Sequence, residues 1–193
     1  MAQSYHSNTA IPQAIGQAVP QTIRVLKLRP VLTDLPTENN GLNMNYWLMK
    51  SEPDAYGIDD LMRDGREPWD GIRNYQARNM MRDDMVIGDK VFFYHSSCKE
   101  PGVVGLMEIA SKPYPDPTQF EPGSKYYDPK SNPDDPRWCL VDVQFIRKLK
   151  RAVSLAEIKA HPGLHDMILV RKGNRLSIMP ITEDHWNIIL SLE

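Results

Sequence analysis

Cysteine is almost missing from this chain: Cys98 and Cys139 are the two thiols among 193 residues. A pair so widely separated builds no disulfide framework and matches no zinc-ligand spacing. The plain reading is therefore a reducing interior, cytoplasmic, or nuclear in a eukaryote. Long apolar runs are lacking too. The densest, residues 103–107 and 188–190, are far shorter than a bilayer requires, so no membrane role is expected. The first residues lack the basic-then-apolar layout of a secretory signal. No Walker loop, Rossmann glycine fingerprint or Gly-x-Ser-x-Gly elbow is present, so no cofactor is expected and the common nucleotide and acyl-transfer machineries are excluded.

Net charge is also scarce. A formal −2 argues against a protein that coats nucleic acid by bulk electrostatics. The charge is polarised, however. Residues 44–146 carry twelve basic and eighteen acidic side chains, whereas residues 147–175 carry eight basic and two acidic. Arg147, Lys148, Lys150 and Arg151 read either as contacts to a nucleic-acid backbone or as the solvated end of a strand.

The first 43 residues are rich in Gln, Ser, Thr, Asn and Pro, with no acidic residue before Asp34. They read as disordered or loosely attached, or as lying ahead of a start at Met44, and 44–193 as one domain. From Asn45 the punctuation is regular. Residues 45–50 suit a buried strand. Gly57 opens a short helix with Asp59 and Asp60 in its first turn, and Gly65 ends it. The spacing predicts a second helix over 72–85, and strands over 90–95 and 102–110. Seven prolines and three tyrosines then fill a long loop, 111–137, which predicts a stiff, ordered segment. A strand over 138–148 follows. Ser154 with Glu157 forms a capping box for a third helix, and 176–179 reads as a last strand. Thr182 caps a terminal helix with Trp186, Ile189 and Leu190 on one face. These elements predict an α+β domain on a curved sheet or partial barrel.

Two stretches carry the chemistry: Lys50-Ser51-Glu52-Pro53, and Trp69-Asp70-Gly71-Ile72-Arg73-Asn74-Tyr75-Gln76-Ala77-Arg78-Asn79. On a helix, Tyr75 meets Asn79 and Asn74 meets Arg78, giving a face of phenol, amide and guanidinium groups. Such a face is either solvated or built to hold a polar ligand. Together with Trp47-Leu48-Met49, Gly88-Asp89, Tyr126-Tyr127-Asp128-Pro129 and Pro136-Arg137-Trp138, these blocks closely resemble the EVE domain, over roughly residues 44–192. The resemblance implies a PUA-like mixed β-barrel flanked by short helices, related to the YTH and ASCH modules. It also implies binding of DNA or RNA, with one base, often modified, taken into an aromatic pocket. Gly57 departs from the serine frequent in the family, which weakens a helix cap.

Within that resemblance, Trp47, Trp69, Tyr94 and Trp138 are candidate stacking surfaces, and Ser51, Asn74, Asn79 and His95 candidate readers of a base edge. Arg78 would hold a phosphate or stack on a base. Glu52, Tyr75 and Ser96 complete the expected pocket. Trp47, lying in the first strand, fits the core equally well, and Trp186 fits it better. Rival readings are weaker. His161 and His165 flank a helix-breaking Pro162-Gly163, so no metal site is expected. The pairs Asp59/Asp60, Asp83/Asp84 and Asp134/Asp135 would suit a nuclease, but the first two lie on helices, where neighbours point apart and chelate poorly. Cys98 near His95 lacks an orienting third group, so no catalytic residue is assigned. The proline-rich loop offers a third reading, a protein-interaction module.

Overall fold

The computed structural model describes residues 44–193; the segment read as disordered or loosely attached, 1–43, lies outside the described residues. The strands are β1 (Tyr46–Ser51), β2 (Arg66–Pro68), β3 (Lys90–His95), β4 (Gly102–Ile109), β5 (Tyr114–Pro115), β6 (Cys139–Leu140), β7 (Asp142–Ser154) and β8 (Ile178–Ile181). The α-helices are α1 (Ile58–Asp64), α2 (Tyr75–Asn79), α3 (Leu155–Ala160) and α4 (Glu183–Ser191). Six strands pair in the order β2-β7-β4-β3-β1-β8, parallel between β1 and β3 and antiparallel elsewhere, while β5 and β6 pair separately. Register shifts within β3–β4 and β4–β7 add bend to the natural twist. The result is a sheet curled into an open half-barrel with a few short helices, the α+β, PUA-like architecture expected.

The central strands are apolar at almost every position because both faces are covered. Trp47, Met49, Val91, Phe93, Met107 and Ile109 face one core, closed by α1, α2 and the segment carrying Trp69 and Ile72. Leu48, Phe92, Tyr94 and Leu106 face the other, closed by α3, α4 and the 3-10 turns between α3 and β8. Trp186 of α4 lies in this second core, stacked on Phe92 at 4.0 Å. The buried carboxylate of Asp89 organises the start of the sheet. It accepts from Trp47 Nε1 at 2.9 Å and from the backbone N–H groups of Asn45 and Val86 at 3.0 Å each. Gly57 still opens α1, and the Asp60 carboxylate accepts the Gly57 N–H at 2.8 Å where a serine side chain would have capped from the other direction.

Three elements differ from the sequence expectation. The second helix begins at Tyr75, not at residue 72, because Gly71 turns with φ +75° and Asn74 is extended, its Oδ1 accepting from Gln76 N and Ala77 N. It then widens into a π-helical turn, Met80–Asp84. The strand expected over 138–148 is split between β6 and β7, leaves out Trp138, and continues in β7 to Ser154. The Trp138 backbone is held by the long loop, its N–H donating to Gln119 Oε1 at 3.0 Å and its carbonyl accepting from Gln119 Nε2 at 2.8 Å. β2, three residues on the far edge, carries no alternation to reveal it. The loop itself is ordered, as its proline content implied, with Asp116 and Gln119 fully buried.

Trp186→Ala removes an indole packed on Phe92 and is expected to cost about 3–5 kcal/mol. Urea unfolding would read this as a lower midpoint at unchanged slope; a midpoint within error of wild type would contradict the packing described.

Candidate nucleic-acid interface

Because β1 and β3 run parallel with Ser51 opposite His95, the chain leaves both strands at the same end of the sheet. Their exits bracket a cleft of about 610 Å³, within the size range of small-ligand sites. Lys50, Ser51, Glu52 and Ser96 form its floor. One wall is residues 67–73, another is Lys125 and Tyr126 of the long loop, and a third is residues 175–177 leading into β8. The floor is stiff. Ser96 N donates to Ser51 O at 2.8 Å, Lys50 N to Ser177 O at 2.8 Å, and Ser51 Oγ to Tyr56 O at 2.7 Å.

The loop wall is fastened by Arg73. Its Nη1 meets Asp116 Oδ2 at 2.7 Å, its Nη2 donates to Thr118 Oγ1 at 2.9 Å, and its Nε to Tyr126 O at 2.7 Å. The Asp116 carboxylate is 0% exposed and also accepts the Gly71 N–H at 3.0 Å. Burial alone would push the Asp116 pKa up; the hydrogen bonds from Arg73, Thr118 and Gly71 outweigh it and hold the group below the usual carboxylate range. Gly71 admits the Tyr126 ring: a Cβ there would stand 2.4 Å from Tyr126 Cζ.

Within the cleft, Trp69 is 7% exposed and set edge-on to Phe93 at 5.5 Å. Hydrogen-bond acceptors are plentiful, from Glu52, Glu67 and Asp70. Partial burial raises the Glu67 and Asp70 pKa values, reinforced by neighbouring carboxylates, chiefly Asp64 and Asp116 respectively. Donors are Ser51, Ser96 and the Lys50 ammonium, whose pKa burial lowers. Exposed Lys125 and Arg175 add positive charge, and among the described residues neither has a carboxylate within ion-pair distance.

Of the residues singled out in the sequence, the cleft gathers Ser51, Glu52, Trp69 and Ser96. The others lie elsewhere. Trp47 is core, tied to Asp89. Tyr94 points into the second core, where burial pushes its hydroxyl up to about 12. His95 Nε2 accepts the Ile58 N–H at 3.1 Å, and burial, more than its charged neighbours, lowers its pKa. Asn74 is occupied as the cap of α2, and Asn79 Oδ1 accepts from Arg78. Tyr75 and Arg78 line a separate recess, and Trp138 is buried beneath Tyr75 with Nε1 on Asp128 at 2.8 Å.

The basic stretch is largely neutralised. Arg147 pairs with Glu193 through two bonds of 2.6 and 2.7 Å, Lys148 with Asp59 at 2.7 Å, and Arg151 with Glu157 at 2.8 Å. The Lys150 backbone N–H also donates to Glu193. Cleft residues that sequence reasoning passed over include Lys50, Asp70, Arg73, Lys125, Tyr126 and Arg175. Lys50, Asp70, Arg73 and Tyr126 sit inside the blocks that carry the resemblance; nothing in the sequence marks Arg175 apart from its basic neighbours. Among the described residues no three His, Cys, Asp or Glu side chains gather to hold a metal, and no helix is long and apolar enough to cross a membrane.

Known proteins resemble this chain in sequence and fold. The EVE domain family matches residues 45–192. Mouse thymocyte nuclear protein 1 is 46% identical over 176 residues, covering 81% of this chain and 77% of that protein. A crystal structure of a Pseudomonas syringae protein superposes with a TM-score of 0.74 at 48% identity, covering 76% of this chain and 98% of that one. The human THYN1 protein, crystallised in complex with 5-methylcytosine-containing DNA, gives a TM-score of 0.72 at 46% identity, over 77% of this chain and 96% of that one.

The Arg73–Asp116 pair sets an acid limit on stability. Since folding depresses the Asp116 pKa, its contribution is present at neutral pH and is lost as pH falls from about 5 through the folded value. Asp116→Asn is expected to flatten that part of the stability–pH curve, and Asp116→Ala to cost on the order of 3 kcal/mol at pH 7 by stranding Arg73. Urea midpoints between pH 7 and pH 3 measure both; parallel wild-type and Asp116→Asn curves would refute the assignment.

Proposed function

Starting from the fact that the chain belongs to the EVE domain family, we propose that it is a non-catalytic nucleic-acid-binding module whose cleft takes in one modified base, with 5-methylcytosine in DNA as the matching ligand. The observation that carries this reading is a cleft of base-accommodating size in which Trp69 and Tyr126 stand with acceptors and donors from Glu52, Asp70, Ser51 and Ser96. It is joined by the DNA complex of a relative at 46% identity. A base withdrawn from its stack recovers part of the lost energy on an aromatic surface, about 1–3 kcal/mol. A cytosine edge presents an exocyclic amine, which a carboxylate accepts, and ring acceptors, which hydroxyl or ammonium donors satisfy. The 5-methyl group adds apolar contact worth roughly 1 kcal/mol, on the order of fivefold in affinity.

Backbone contacts move with the geometry. Arg147, Lys148 and Arg151 already face carboxylates, so the phosphates flanking the withdrawn base fall to Lys125 and Arg175, with Lys150 more peripheral. Binding without turnover suits the groups nearby, since His95 accepts a backbone N–H and Ser51 donates to a carbonyl. The proline-rich loop serves as a wall of the cleft, its buried Asp116 and Gln119 holding it inward. A DNA ligand places the protein where the genome is, the nucleus in a eukaryote and the cytoplasm otherwise.

Fluorescence anisotropy with oligonucleotides differing only in one cytosine methyl group tests the proposal. The methylated strand is expected to bind about fivefold more tightly. Equal binding of the two, or none, would refute base reading, and a strand altered in mass after incubation would refute a purely binding role. Lys125→Gln with Arg175→Gln is expected to reduce the slope of log affinity against log salt by about 0.7–0.9 for each phosphate no longer neutralised.

A further inference from the structure

The recess beside α2 has a volume of about 420 Å³ and is lined by Tyr75, Arg78, Arg82, Lys130 and Arg137, with Asp135 its one acidic lining residue. Such a concentration of cations is local, since the whole chain carries −2. Arg82 and Arg137 have carboxylate neighbours in Asp83 and Asp128. Arg78 and Lys130 have none within ion-pair distance among the described residues; Arg78 donates instead to Arg137 O and Asn79 Oδ1. Tyr75 opens α2 and is 53% exposed although its ring already lies 4.9 Å from that of Trp138. A rigidly backed, half-exposed ring among uncompensated cations is the chemistry that receives a nucleobase and its phosphate.

The recess is also joined to the cleft by a continuous series of cation–ring and ring–ring contacts. Lys125 lies over Tyr126 at 4.8 Å, and Arg73 sits 5.5 Å from both Tyr126 and Trp138. Trp138 meets Tyr75 at 4.9 Å, and Arg78 lies over Tyr75 at 4.9 Å. Arg73 therefore belongs to the cleft wall and Tyr75, two residues on, to the recess, so the two sites are separated by only a few nucleotides of one strand.

We propose that this recess is a second nucleic-acid contact, in which Tyr75 stacks a nucleotide that is not read for methylation while Arg78 and Lys130 hold its phosphate. This rests on the nucleic-acid reading above and extends it: one site selects the modified base, the other adds affinity that is blind to the modification.

The test is anisotropy titration of methylated and unmethylated oligonucleotides with wild type, Tyr75→Ala, Tyr75→Trp and Lys130→Gln. It is paired with binding of 5-methyl-2′-deoxycytidine monophosphate followed by NMR. Tyr75→Ala is expected to weaken both strands by the same factor, about five- to hundredfold for one stacking interaction removed, leaving the methyl preference and the mononucleotide affinity unchanged. Tyr75→Trp is expected to restore binding. Lys130→Gln, at an exposed side chain that leaves the core untouched, is expected to lower the salt slope by about 0.7–0.9. The proposal is overturned if Tyr75→Ala and Lys130→Gln bind like wild type, or if Tyr75→Ala abolishes the methyl preference, which would put Tyr75 in the base cleft. It is equally overturned if a polyglutamate peptide displaces the strand as well as unlabelled DNA of equal charge does. A wild-type protein without methyl preference, but with the Tyr75 effect intact, would refute the cleft reading and leave this one standing; no wild-type binding to either strand refutes both.

Discussion

A buried ion pair, Arg73 with Asp116 at 2.7 Å, is the constraint on which the cleft depends. The seven prolines of the loop between β4 and β7 supply no backbone donors, so side-chain partners take a larger part in holding it. Arg73 reaches across to it with three separate hydrogen-bonding nitrogens, fixing Asp116, Thr118 and the Tyr126 carbonyl around one guanidinium. A buried charge pair of this kind adds little net stability against an apolar substitute, yet breaking one partner is costly. Its value here is positional: the same guanidinium holds the Tyr126 carbonyl, and the Tyr126 ring packs against Gly71 at the cleft wall.

The same guanidinium lies near the rings of both Tyr126 and Trp138, which links the loop wall to the helix carrying Tyr75 and Arg78. Cations interleaved with aromatic rings make a surface rigid without making it apolar. A nucleic-acid strand meets such a surface with little reorganisation, because rings and charges are already held by the protein's own contacts. As proposed, the cleft would supply selectivity and the recess added affinity.

Placement of the cleft follows from the one parallel pairing in the sheet. Antiparallel neighbours would send their exits to opposite ends; β1 and β3 leave together, at Ser51 and His95, and the chain must cross over between them through α1, β2 and α2. That crossover brings the Trp69–Arg73 stretch back over the strand ends. Charge is redistributed by the same folding. Glu193, remote in sequence from Arg147, closes on it with two bonds, and Asp59 pairs with Lys148 through one. Cations that look like a binding stripe along the chain are thereby internally compensated, while Lys125 and Arg175 remain open at the cleft.

The sequence by itself was enough for the family, the α+β class and most element positions, and four of the side chains it singled out, Ser51, Glu52, Trp69 and Ser96, share the lining of the cleft. The first three are written in local signals: capping residues, apolar runs and contiguous blocks. The sequence could not place Asn74 as a cap rather than a reader, since an amide serves either purpose and only the turn at Gly71 decides where α2 begins. Nor could it assign Trp47 and Tyr94, because alternate residues of a strand buried on both faces look alike until each face has a partner. The division of Tyr75 and Arg78 from the cleft, and the neutralisation of Arg147, Lys148 and Arg151, were decided by tertiary structure alone. The physical reason is that pairing between charges and rings distant in sequence is a property of distance in space, and the chain encodes that distance only through the whole fold.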